Sequence, residues 1–97
     1  MEKITVIAIM KAKEGKEEEL KQALLPLIEP TCQEVGCIHY NLHQDIQDPG
    51  VFVFYEEWQG QKYLEDHLAS PHLTALKNRM GELLAEMPDI RVLEKIG

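Results

Sequence analysis

Val51-Phe52-Val53-Phe54-Tyr55-Glu56-Glu57-Trp58 is the stretch whose reading decides the fold. Its β-branched and aromatic residues mark a strand bounded by turn chemistry at Asp48-Pro49-Gly50. Successive strand side chains point to opposite faces, and the first five residues here are apolar without alternation. A strand apolar on both faces is normally covered on both faces. Just upstream, Ile38, Tyr40 and Leu42 alternate with His39, Asn41 and His43, the period of another strand, so the two predict an antiparallel hairpin.

Working outward, Lys3 to Lys11 is a β-branched run that predicts a first strand. From Lys16 the period changes: Leu20, Ala23, Leu24, Leu27 and Ile28 form one helical face behind Glu17, Glu18 and Glu19 at the positive helix end. Pro26 is expected to kink this helix, and Pro30 with Gly36 to leave it irregular or finished by about Val35. Beyond Trp58, Gln61 to Leu68 is helical. Ser70 is expected as an N-cap with Pro71 in the first helical position, and Leu73, Leu76, Met80, Leu83 and Leu84 make a second amphipathic stripe. Pro88 ends it, and Ile90 to Ile96 is expected as the last strand. The order β-α-β-β-α-β predicts an α+β, ferredoxin-like two-layer sandwich, one domain over residues 1–97. Two helices cover one sheet face only. A second copy of the chain is the simplest cover for the other, so a homodimer with sheets packed face to face is expected, as in a dimeric α+β barrel.

The 97 residues carry 17 acidic and 10 basic side chains, a formal charge of -7. Nucleic-acid binding needs clustered Lys and Arg to displace phosphate counterions, and an anionic membrane surface attracts basic segments; neither partner is expected. The apolar run Ile4 to Met10 is about a third of the roughly 20 residues that span a bilayer. With no basic, apolar and small-residue export signal at the N-terminus, a cytoplasmic location is expected. Cys32 and Cys37 match neither a redox nor a zinc spacing and are expected as reduced, partly buried thiols.

Chemistry concentrates after the decisive strand. Glu56 and Trp58 share a face with Phe52 and Phe54, while Tyr55 and Glu57 point the other way. His67 and His72 follow on the next helical segments, so a carboxylate, an indole and two imidazoles are drawn towards one sheet end, a constellation suited to proton transfer beside an aromatic wall. Each has a plainer role open to it: Trp58 as core filler, Glu56 as a solvated strand-end carboxylate, either histidine as a structural residue, Ser70 as a cap. No metal site is expected. His39 and His43 are about 13 Å apart along a strand, and His67 and His72, five apart around Pro71, do not share a helical face. No dinucleotide or triphosphate motif is present.

The segments Gly36-Cys37-Ile38-His39-Tyr40-Asn41-Leu42, Phe54-Tyr55-Glu56-Glu57-Trp58 and His67-Leu68-Ala69-Ser70-Pro71-His72 resemble the antibiotic biosynthesis monooxygenase family, especially its quinol monooxygenase-like branch. The resemblance implies dimeric ferredoxin-like α+β barrels, and a monooxygenase that oxidises quinols or polyphenols with molecular oxygen and no cofactor. It also leaves open a small-ligand-binding or stress-response domain without turnover, and a sugar-phosphate isomerase. The haem-degrading branch pairs His and Trp with an Asn on the first strand, which Lys3 to Lys11 lacks. On the monooxygenase reading His67 or His72 is the base, Glu56 orients or polarises an imidazole, and Trp58, Phe54 and Tyr40 contact a small aromatic, quinol-like substrate.

Overall fold

Residues 3–97 are described by the computed structural model, which forms four strands, β1 (Ile4–Lys11), β2 (Cys37–Gln44), β3 (Val51–Trp58) and β4 (Asp89–Leu93), in one antiparallel sheet of order β2-β3-β1-β4. Helices α1 (Glu17–Leu24), α2 (Ile28–Cys32), α3 (Gln61–Leu68), α4 (Pro71–Lys77) and α5 (Met80–Leu83) complete the α+β, ferredoxin-like topology. Register explains the core. Phe52, Phe54, Glu56 and Trp58 of β3 lie opposite Met10, Ala8, Val6 and Ile4 of β1, so these side chains share one face. That face is buried beneath Leu20, Leu24, Leu64, Leu73, Leu76 and Leu83 of the helices. Each fully buried Leu or Phe contributes about 1.5–3 kcal/mol relative to exposure.

The opposite face carries Ile7, Ile9, Val51, Val53 and Tyr55, and nothing among the described residues covers it: Tyr55 is 40% exposed and the four aliphatics are partly so. The molecule's thinnest dimension, 20 Å, is that of one sheet and one helical layer. No helix among the described residues is long and apolar enough to cross a membrane.

Three element boundaries depart from expectation. The first helix is interrupted by a 3-10 turn, Leu25–Leu27, with Pro26 inside it, because proline lacks the N–H that would continue the α-helical ladder. The second helical region is three short pieces rather than two. The last strand spans Asp89–Leu93 and not Ile90–Ile96: β1 offers partners only from Thr5 to Ile9, and Ile96 is 94% exposed. Cys37 is partly buried as expected, and its thiol is pushed up to about 11, first by burial and then by Cys32 and Glu34. Cys32, by contrast, is exposed, at the open end of α2.

Candidate functional site

Ser70 sets the geometry of the site. In extended conformation between α3 and α4, its hydroxyl donates to the His67 carbonyl at 2.7 Å and accepts from the Leu73 N–H at 3.4 Å, capping α4, with Pro71 in the first turn. The chain therefore turns sharply between the two helices. His67, in the last turn of α3, and His72, in the first turn of α4, converge with ring centroids 6.0 Å apart. Helical spacing predicted otherwise; the break at Ser70 removes the premise of that argument.

What they converge on is Glu34, which the sequence reading missed. It lies in the turn after α2, where its N–H donates to the Thr31 carbonyl. Gly36, two residues on, has φ +87°, a conformation that favours glycine, and its carbonyl accepts from Gln59 N–H at 2.8 Å. A Cβ at Gly36 would lie 2.2 Å from the Tyr63 ring, so glycine lets this turn seat against α3. Glu34 Oε2 then stands 3.0 Å from Nδ1 of His67 and 2.6 Å from Nε2 of His72. His67 is 2% exposed, whereas His72 and Glu34 are partly so.

His67 has its pKa lowered, mainly by burial; the hydrogen bond and charge of Glu34 oppose this, and His72 and Lys77 reinforce it. In its neutral form Nδ1–H donates to Glu34, which leaves Nε2 as an acceptor. Among the described residues nothing hydrogen-bonds Nε2, and His67 lines a cavity of about 60 Å³ between the sheet and α3–α5. Apart from Glu56 and Lys77 the other walls are apolar and aromatic. Tyr40 stacks on Phe54 at 4.6 Å, with the His67 ring edge-on to Tyr40 at 5.3 Å.

Glu56 is the second polar group in that wall. It is 4% exposed, and its Oε1 accepts from Nε1–H of Trp58 at 2.9 Å. Burial raises its pKa to about 7, the Trp58 hydrogen bond pulls against this, and the charge of Glu34 adds to it. Burial likewise pushes the Tyr40 phenol well above its usual range, so it is a neutral hydroxyl. The buried Thr31 hydroxyl has no hydrogen-bond partner among the described residues.

Of the residues singled out from sequence, His67, Glu56, Phe54 and Tyr40 line this cavity together. Two do not. Trp58 is fully buried behind it, packed on the His67 ring at 4.7 Å and donating its Nε1–H to Glu56. His72 faces a separate, open groove. The carboxylate that orients the imidazole is Glu34 and not Glu56, whose hydrogen bond is to the indole. Glu34, His67 and His72 offer donor atoms all within 4.8 Å of one another, a set that could hold a divalent ion. The carboxylate–imidazole separations are hydrogen-bond lengths, while donors sharing a tetrahedral zinc stand roughly 3.4 Å apart, so an ion would have to spread them.

Residues 3–79 match the family model described as antibiotic biosynthesis monooxygenase. The chain belongs to the antibiotic biosynthesis monooxygenase family. Within it, the chain is 31% identical over 90 residues to Rv0793 of Mycobacterium tuberculosis, provisionally named a monooxygenase, covering 93% of this chain and 88% of that one. The structure of that family member superposes with a TM-score of 0.92. PA3566 from Pseudomonas aeruginosa superposes with a TM-score of 0.95 at 31% identity, covering 100% of this chain and 97% of that one. An uncharacterised Synechocystis sp. protein, sll1783, is 30% identical over 89 residues; the match takes in 92% of this chain and 60% of that longer protein.

Proposed function

We propose that the chain is a cofactor-independent monooxygenase of quinols or related polyphenols. The observation that carries this reading is a buried, carboxylate-held imidazole lining an aromatic-walled cavity, its other nitrogen without a hydrogen bond among the described residues, beside a carboxyl whose pKa is raised to about 7. A quinol is a poor electron donor until a hydroxyl ionises, and then it can reduce oxygen itself. His67 Nε2 removes that proton, and Glu34 stabilises the imidazolium through Nδ1–H. The phenolate passes one electron to oxygen, and the radical pair combines at a ring carbon as a peroxide. His67 returns its proton to the peroxide, protonated Glu56 supplies the second proton with which the O–O bond breaks and water leaves, and the proton of the ring C–H passes to the Glu56 carboxylate as the carbonyl forms. Four electrons reduce one O₂: two from quinol to quinone and two from C–H to C–OH. One oxygen atom enters the ring, the other becomes water, and no outside reductant is needed.

The cavity is narrower than the roughly 300–1,000 Å³ of most ligand pockets. A ring therefore enters as Met80 and the Lys77 stem, both in the wall beneath exposed surface, swing aside. Two copies pack their open sheet faces together through Ile7, Ile9, Val51, Val53 and Tyr55, closing a barrel and making each cavity rigid from behind. Oxygen uptake on adding a naphthoquinol to the purified protein tests the reading. Uptake above the uncatalysed rate, lost in His67→Ala, is expected. Quinol binding without uptake would leave a binder, and turnover of a substrate under argon would leave an isomerase.

A further inference from the structure

The reading above gives His67 a proton to dispose of, inside a cavity with apolar walls. His72 lies outside that cavity. It lines a groove of about 280 Å³ with Gln22, Ala23, Leu27, Ala75 and Arg79, open to water. Between the two spaces stands a single oxygen, Oε2 of Glu34, accepting from Nδ1 of His67 at 3.0 Å and from Nε2 of His72 at 2.6 Å. For one oxygen to accept from both, both nitrogens carry hydrogen. The shorter contact is the one to His72, the ring that also lines the groove.

We propose that His67, Glu34 and His72 form a proton outlet from the cavity to the groove, with His72 as the positioning residue that exchanges the proton with solvent. The proposal rests on the monooxygenase reading for its purpose but on hydrogen bonds alone for its existence. One carboxylate neutralises one imidazolium. When Nε2 of His67 takes the substrate proton, the O–H electron pair stays on the substrate oxygen, Glu34 pairs with the new His67 imidazolium, and His72 releases a proton to groove water. One proton enters the trio and one leaves. When His67 returns its proton to the peroxide oxygen, His72 takes one back. Two cations nearby favour loss of a proton from the trio, Lys77 acting on His67 from α4 and Arg79 lining the groove with His72, and the neutral Ser70 hydroxyl lies 3.3 Å from Nε2 of His72. Glu34 is the single carboxylate bonded to either ring among the described residues.

Two experiments on the intact chain test the outlet. In steady-state oxygen uptake with a naphthoquinol in dilute, non-imidazole buffer, His72→Ala should lose at least about 10-fold in kcat with little change in KM. Free imidazole, small enough for the groove, should restore most of it. His72→Gln, which keeps an amide donor towards Glu34 but cannot titrate, should lose as much and stay unrescued. An undiminished kcat in either variant, or a loss in His72→Ala that imidazole leaves untouched, overturns the proposal. The second experiment needs no turnover: ¹⁵N-histidine NMR of the wild type should show the two rings titrating as a coupled pair, and His67 should titrate at altered pH in His72→Gln. Identical His67 curves in the two proteins overturn the outlet whether or not quinols are substrates. Coupled curves without any oxygen uptake would keep the outlet and remove the monooxygenase reading.

Discussion

Glu56 places the sharpest demand on stability because its carboxyl is both buried and titratable near neutrality. Its folded pKa of about 7 lies above the unfolded value of 4.5, so the unfolded chain gives up the proton first. Burial therefore costs nothing in this respect below about pH 4.5, costs progressively more up to about pH 7, and levels off above it. At 1.36 kcal/mol per pKa unit the full penalty is about 3 kcal/mol. Glu56→Gln, which keeps an oxygen for Trp58 Nε1–H, should be more stable than wild type at pH 8 by up to that amount and about equal at pH 4, by denaturant titration at the two pH values. In turnover the same ionisation removes the proton donor, so kcat should fall above about pH 7, and this limb should vanish, at a lower plateau, in Glu56→Gln. His67 acts in the opposite sense. Its lowered pKa favours the neutral ring in the fold, and the stability this gives is lost as pH falls below 6.5. The partnership of Glu56 and Trp58 on one face of β3 was legible from strand period alone. Glu34 was not, because nothing in Gln33-Glu34-Val35-Gly36 distinguishes a carboxylate aimed at two histidines from a solvated one.

At the scale of elements, what matters is how the turn after α2 and the break before α4 meet. Residue spacing reads single helices well, and the N-cap at Ser70 with Pro71 was plain in sequence for that reason. It fails where two helices join, since the angle between them lies in no periodicity; His67 and His72 come together through that angle. Ser70→Ala should cost about 1 kcal/mol in thermal unfolding through loss of the cap and still consume oxygen, since the hydroxyl's short hydrogen bond is to the His67 carbonyl and it caps α4. Gly36→Ala should do worse. A Cβ would overlap the Tyr63 ring in a backbone conformation unfavourable to alanine, costing about 2–4 kcal/mol and moving Glu34 away from α3, so that stability and turnover fall together.

For the whole molecule, the unalternating run of β3 was the legible part. Such a run is normally covered on two sides, and the described residues cover one, leaving Val53 and Tyr55 on an open apolar face. Light scattering behind a sizing column should give twice the chain mass for the wild type, and the mass of one chain for Val53→Lys, which puts a charge on the face proposed for pairing. Cavity width was not legible, because it depends on how far α4 and α5 stand from the sheet. The claim on which the rest depends is that the protein contributes a base, a proton donor and an apolar enclosure while the substrate supplies every electron. Its most direct test is turnover of a naphthoquinol under ¹⁸O₂ by protein freed of metals with a chelator, the product read by mass spectrometry. The account predicts one ¹⁸O atom in each hydroxyquinone and the other in water, with the rate about 10²- to 10⁴-fold lower in His67→Ala. Unlabelled product, or His67→Ala turning over as fast as wild type, would contradict it.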